Sequence, residues 1–232
     1  PFFPMAGLKN SVLLASMPPS PWTDWLKALN EGEFKLHGAQ IQGRFSEIGS
    51  AQWGRSGAEI RVDVEVRDLG GDLSGDRYFP IRHLSGRMNL HNDVVRFDQF
   101  RGRYGVSDFE DIEGRLKGIF SSEKFLDIRL RGQLSLEQLQ EQLQTDLFPS
   151  SLREAASGLK TLTGEGRMDV SLRTDFNSLP LLEGTVALRD AGFSLGKVSL
   201  SRIRGDLTLS PGEIRGWEVT ASLAESPMDL QI

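Results

Sequence analysis

Apolar and polar residues alternate along most of this 232-residue chain, and a five-residue phrase, apolar–x–Gly–x–apolar, punctuates the alternation. It occurs at Ile41–Gly43–Phe45, Leu84–Gly86–Met88, Ile112–Gly114–Leu116, Leu116–Gly118–Phe120, Leu130–Gly132–Leu134, Leu182–Gly184–Val186 and Ile203–Gly205–Leu207. Successive side chains of a strand point to opposite faces. Each phrase therefore puts two apolar residues and a glycine on one face and polar residues on the other. Glycine inside a strand costs stability and leaves bare backbone, as happens where a sheet bends or something approaches closely. Repeated on the apolar face, the phrase predicts a curved sheet shaped around something rather than a filled compact core.

The pattern divides the chain into four stretches. Residues 1–33 read as a lead-in and a short helix. Pro1 to Pro21 is rich in proline and serine, Ser20 can cap the helix, Pro21 suits its first position and Gly32 can end it. Trp22, Trp25, Leu26 and Leu29 fall near one face at helical spacing, for plugging one end of a sheet or for meeting a membrane or partner. Residues 34–134 read as a first β block. There Ile60, Val62, Val64 and Val66 alternate with Arg61, Asp63, Glu65 and Arg67 until Gly70–Gly71 breaks the strand. Met88 and Leu90 lead into a turn at His91–Asn92–Asp93, from which Val95 and Phe97 return as a hairpin. Two long one-sided strands follow, through Ile112, Gly114, Leu116, Gly118 and Phe120, and through Leu126, Ile128, Leu130, Gly132 and Leu134.

Residues 135–160 change period. Ser135–Leu136–Glu137–Gln138 is a capping box, with Leu136, Leu139, Leu143 and Leu147 behind it at helical spacing and Pro149 as a stop. Ser151–Leu152–Arg153–Glu154 opens a second helix that Gly158 can end. Strands resume over 161–232. Leu162, Gly164, Gly166, Met168, Val170 and Leu172 form one apolar face, followed by Gly184, Val186 and Leu188, then Ile203, Gly205, Leu207 and Leu209. Trp217, Val219, Ala221 and Leu223 continue the alternation, which is still running at Met228, Leu230 and Ile232. The fold class is thus mostly β: a long curved antiparallel sheet forming an open apolar groove, with a short N-terminal helix and an inserted helical pair.

Composition narrows the functions. A hydrophobic fraction of 38% and a mean hydropathy of −0.29 suit a chain with much exposed surface. A net charge of −5 without any basic stripe argues against nucleic acid. The absence of cysteine removes disulfides, thiolate metal sites and cysteine nucleophiles. No apolar run approaches the roughly 20 residues needed to span a bilayer as a helix. The chain begins at Pro1 with no signal-like segment, so it reads as an excised fragment, with any anchor outside it and a sheet continuing past Ile232.

Leu84–Ser85–Gly86–Arg87–Met88–Asn89–Leu90, Phe100–Arg101–Gly102–Arg103–Tyr104–Gly105 and Ile112–Glu113–Gly114–Arg115–Leu116 resemble strands of the AsmA-like superfamily of bacterial envelope proteins. Leu182–Glu183–Gly184–Thr185–Val186–Ala187–Leu188–Arg189–Asp190–Ala191–Gly192–Phe193, behind the Leu147–Phe148–Pro149 break, is similar to the YhdP and TamB type members. The resemblance covers residues 34 to 232. It implies an inner-membrane-anchored protein that crosses the periplasm and conducts phospholipid acyl chains along an apolar β-groove toward the outer membrane. Envelope membrane proteins would meet the groove ends, and no catalytic residue or cofactor is implied. The groove-lining positions are then Val62, Val64, Met88, Leu90, Ile112, Leu116, Ile128, Leu130, Met168, Val170, Leu172, Val186, Leu188, Ile203, Leu207 and Leu209. The alternative is a β-rich scaffold of the cell envelope that carries no lipid.

Other chemistry is weaker. Glu110, Asp111 and Glu113 cluster with Asp108, and a carboxylate pair is what a glycosidase needs, but Asp111 and Glu113 alternate with Ile112 and Gly114, which puts both on the polar face of a strand. His37, His83 and His91 lack ligand spacing, and there is neither a phosphate loop nor a Gly-x-Ser-x-Gly elbow. Gly102 to Gly105 reads as a turn between strands rather than a phosphate cradle. Arg87, Arg115, Arg129, Arg131, Arg202 and Arg204 alternate with apolar residues. They suit the outer sheet face, with a groove rim that meets lipid phosphates as the other reading.

Overall fold

The computed structural model describes residues 1–5, 29–42, 59–71, 80–119, 123–143, 157, 159–175, 178, 180–195, 198–223 and 226–230. Its strands are β1 (Phe3–Pro4), β2 (Leu29–Gln42), β3 (Glu59–Gly71), β4 (Ile81–His91), β5 (Val94–Tyr104), β6 (Ser107–Lys117) and β7 (Phe125–Ser135). One helix follows, α1 (Leu136–Leu143), and then β8 (Leu159–Thr174), β9 (Leu181–Leu195), β10 (Val198–Ser210), β11 (Glu213–Leu223) and β12 (Ser226–Leu230). The twelve strands lie in one sheet in chain order, so β1 and β12 stand at opposite ends of the order and the sheet is unclosed. Each strand meets the one before it by turning back, the antiparallel arrangement that short connections and one-sided alternation favour.

Two compact units share this sheet. Unit 1 comprises Pro1–Gly105 and Ile112–Leu126, and unit 2 comprises Val106–Asp111 and Asp127–Ile232. The division runs through β6 and β7 rather than at the change of period at Ser135, so α1 belongs to unit 2 together with the start of β6. Unit 1 has a core of Met5, Val66, Leu69 and Phe100, with Phe34, Val64, Leu84, Met88, Phe97 and Ile112 packed on it. Unit 2 has a core of Leu136, Ala191, Ile203, Val219 and Ala221, with Leu139, Leu162, Leu188, Phe193, Leu200 and Leu207 around it.

Both cores are organised by the same backbone device. Asp68, His83 and Gln99 in unit 1, and Asp190, Arg202 and Glu218 in unit 2, hold φ between 51° and 55°. The ladder slips beside each of them. An extra residue in one strand makes a bulge, and the apolar alternation takes a step of three residues instead of two. The steps are Val66 to Leu69, Ile81 to Leu84, Phe97 to Phe100, Leu188 to Ala191, Leu200 to Ile203 and Gly216 to Val219. A left-handed conformation costs a non-glycine residue about 1–2 kcal/mol. Burial of the large apolar side chain that follows, as at Leu69, Phe100 or Ile203, contributes about 1.5–3 kcal/mol. The bulge survives because burial wins.

The units are two versions of one module. The first main strand of each carries a glycine at high φ, Gly32 at 95° and Gly164 at 97°, and the next three strands each carry one bulge residue. Asp68 and Asp190 stand in matching runs, Arg67–Asp68–Leu69–Gly70 and Arg189–Asp190–Ala191–Gly192. Residues 83–102 correspond to 202–221 without a gap, so Gly86 matches Gly205, Met88 matches Leu207, and Phe100 matches Val219. Met5 and Leu136 hold the equivalent place, each supplied by chain that precedes the module's first main strand.

Several expectations are corrected. Leu29 and Gly32 belong to β2, so no helix runs as far as Gly32. The remainder of that helix, with Trp22, Trp25 and Leu26, lies outside the described residues, as does the second inserted helix from Ser151. Gly102 lies inside β5, and the turn falls at Gly105–Val106. Trp217 does not share a face with Val219. The bulge at Glu218 turns it to the opposite face, beside Asp206. The hairpin turn at Asn92–Asp93 is as the sequence predicts, and Ser135 caps the helix by accepting the Gln138 N–H at 3.3 Å. Instead of the second arm of a capping box, the Ser135 N–H donates to the Ser107 hydroxyl and the Gln138 side-chain carbonyl accepts from the N–H groups of Val106 and Ser107.

The bulge account is tested at exposed Gln99. Gln99→Gly, which carries no left-handed penalty, is expected to match or exceed the wild-type urea midpoint, whereas Gln99→Val loses about 1–2 kcal/mol. Equal stability of the two variants would refute the strain argument.

Candidate functional site

The apolar face of each unit is the feature to which the groove residues belong. Residues directly opposite in an antiparallel pair share a face. In unit 1, Val62 opposes Leu90 and Val64 opposes Met88. Ile112 packs on the same core and Leu116 is fully buried. In unit 2, Met168 opposes Val186, which in turn opposes Leu207, while Leu172 opposes Leu182. Val170 and Leu209 flank Gly184 from either side, and Leu188 opposes both Gly166 and Gly205. Ile128 and Leu130 alternate with Arg129 and Arg131, which reach Asp169, so both lie on the face of Met168 and Val170.

Accessibility along this face is mixed, and Ile60 and Val95 are buried at the end of unit 1 that lies away from its bulges. The bulge row is filled: Met5, Val66, Leu69 and Phe100 in one unit, and Leu136, Ala191, Ile203 and Val219 in the other, are all buried. Away from it, Val62, Val64, Met88, Leu90, Ile112, Ile128, Leu130, Leu172, Val186, Leu188, Leu207 and Leu209 are half-buried, whereas Met168 and Val170 are buried. Leu36, Ile41, Leu182 and Ile214 are exposed on the same faces, at 47%, 50%, 38% and 57%. Sequence reasoning missed Phe34, Leu36, Phe97, Phe100, Leu182 and Ile214 as members. Phe100 is hidden by the three-residue step, since strict alternation from Phe97 leads to Gln99 instead.

At Gly86 and Gly205, two glycines of the recurring phrase, a neighbouring strand takes up the space a side chain would need. A Cβ on Gly86 would stand 2.6 Å from the Phe100 ring, and one on the matching Gly205 would stand 2.8 Å from the Val219 Cα. The bare backbone thus seats the side chain that the next strand's bulge delivers. Close approach is what these glycines permit.

The opposite face carries charge in pairs. Arg129 donates to both oxygens of Asp169 at 2.7 and 2.8 Å, and Arg131 bridges Asp169 and Asp111. Arg167 donates to Glu110, Arg173 to Asp127 and Arg204 to Asp190. Arg129, Arg131 and Arg204 are therefore committed to carboxylates of the sheet, in line with the outer-face reading. All three histidines reach carboxylates on β3: His37 to Glu65, His83 to Asp68 and His91 to Glu59. No metal-holding cluster of histidine and carboxylate occurs among the described residues. A polar depression of about 70 Å³ is lined by Glu110, Gln133, Glu165, Arg167 and Arg189. No helix among the described residues is long and apolar enough to cross a membrane.

Three carboxyls sit below their ordinary range. The Arg129 hydrogen bond, reinforced by Arg131, holds Asp169 down, and His37 with Arg67 does the same for Glu65. At Glu137 burial pushes upward, but the Gly164 N–H, its own N–H and the Ser135 hydroxyl outweigh it. A lowered carboxyl adds stability that is complete above its unfolded value, near 4, and is lost as pH falls through the folded value. Unfolding free energy is therefore expected to hold steady above about pH 5 and to drop below about pH 4. In an acid titration of urea unfolding, Asp169→Asn should show a shallower drop than wild type. An unchanged acid slope in that variant would contradict the assignment.

No protein-family model matches the chain, and it matches no curated protein and no solved structure.

Proposed function

We propose that this chain is a segment of a periplasm-spanning, bridge-like protein that conducts phospholipid acyl chains along an apolar sheet face between the inner and outer membranes. One observation carries the reading. Each unit presents, away from its filled bulge row, apolar side chains that its own sheet leaves partly accessible, with Leu36 and Ile41 exposed in one and Leu182 and Ile214 in the other. Monomeric proteins rarely leave more than a few hundred Å² of contiguous apolar surface uncovered without a partner. A hydrocarbon chain suits a face without directed polar groups. Ten methylenes taken from water contribute about 8 kcal/mol, and equivalent apolar positions let the chain shift with little change in burial. No catalytic group is needed for that work, and no phosphate or nucleotide motif enters the reading.

A second reading is a β-rich scaffold of the cell envelope, with its apolar face closed by protein and no lipid cargo. The burial of Met168 and Val170, and the seating of α1 on the same face, favour it.

Organic extraction and mass spectrometry of the chain, produced in a bacterial envelope and purified without detergent, separate the two. Phospholipid at about one molecule per chain or more is expected. A lipid-free protein would favour the scaffold.

A further inference from the structure

Helix α1 does two things at once in unit 2. Its apolar side covers the bulge row, where Leu136 is 6% exposed and Leu139 packs with it against Ala191, Ile203 and Val219. Its polar side completes the sheet. Glu137 accepts the Gly164 N–H at 2.9 Å and Gln140 accepts the Leu162 N–H at 2.7 Å, so two backbone donors of β8 bond to helix side chains instead of a strand. Buried Gln138 accepts the N–H groups of Val106 and Ser107 at 2.9 and 3.2 Å and the Ser107 hydroxyl at 3.1 Å. That hydroxyl in turn accepts the Ser135 N–H at 3.1 Å.

A lid closes through side-chain contacts and leaves the ladder beneath it whole when it opens. Lifting α1 would instead strip partners from backbone donors at the start of β6 and along β8 together. In unit 1 the matching place is filled by Met5, again from chain that precedes the module.

We propose that α1 is a fixed stopper. It takes a strand's place only beside Leu162–Gly164 at the start of β8 and permanently closes the bulge end of unit 2's apolar face, so an acyl chain held there lies along Val186, Leu207 and Leu209 and never beneath α1. The part concerning the acyl chain rests on the function proposed above; the immobility of α1 does not.

Amide hydrogen exchange followed by NMR on the full chain, with and without saturating oleate, tests it. Without oleate, the amides of Leu162, Gly164, Val106 and Ser107 are expected to exchange within a few-fold of the core amides of Ala191 and Ile203. Exchange ten-fold or more faster at these four would overturn the stopper. With oleate their rates should stay within two-fold, and a ten-fold acceleration would show displacement and make α1 a lid. Oleate binding is measured on the same samples by displacement of a fluorescent fatty acid. Failure to bind overturns the hydrocarbon reading, while the oleate-free rates still decide whether α1 is fixed. Gln138→Ala should speed exchange at Val106 and Ser107 at least ten-fold. If that variant does not fold, Gln140→Ala should do the same at Leu162, and an unchanged rate there would count against the proposal.

Discussion

A lone sheet must cover its apolar face with something, and here much of the cover comes from the sheet itself. One left-handed residue in each of three consecutive strands of each unit forces a three-residue step, and the step drops the next apolar side chain into a shared row. Phe100 settles on the bare backbone of Gly86, and Val219 on that of Gly205. The side chain from before the module then closes the row, Met5 in one unit and Leu136 in the other. Remove the step, and strict alternation would turn Leu69, Phe100 and Val219 to the charged face.

This constraint separates two kinds of surface along each strand. Next to the bulges the face is a dry core, dense enough to hold the unit together. Farther along, the same alternation continues with no step, and side chains such as Leu36, Val62, Leu209 and Ile214 stay partly in water, although Ile60, Val95, Met168 and Val170 are buried there. The opposite face needs no such cover, because arginine and carboxylate pairs on adjacent strands satisfy one another there. Such pairs contribute little individually on an exposed surface, and their main effect is to favour one register. The proposed function uses the second surface and leaves the first to structure.

Strand-rich character, the hairpin at Asn92, the helix cap at Ser135 and the apolar side of most strands were legible, because alternation and capping are local signals. The bulges were not. Asp68, His83 and Gln99 read as ordinary polar strand residues, since nothing in the identity of one residue announces a left-handed backbone that neighbouring strands impose. For the same reason alternation alone assigns Trp217 to the wrong face, and the matching of 83–102 with 202–221 hides behind three shared residues, Gly86 with Gly205, Leu90 with Leu209 and Arg96 with Arg215. The glycines were visible as a pattern, but their use was not. They admit a neighbouring strand's side chain or backbone, which no local pattern announces.

The central claim is that one face of this sheet, and not the other, holds hydrocarbon. Photo-crosslinking tests it most directly, with p-benzoylphenylalanine placed at Leu207 on the apolar face or at Trp217, on the opposite face of the neighbouring strand, in bacteria whose lipids carry labelled acyl chains. Labelled lipid attached at Leu207 and absent at Trp217 is the expected result. No attachment at Leu207, or equal attachment at both, would contradict it.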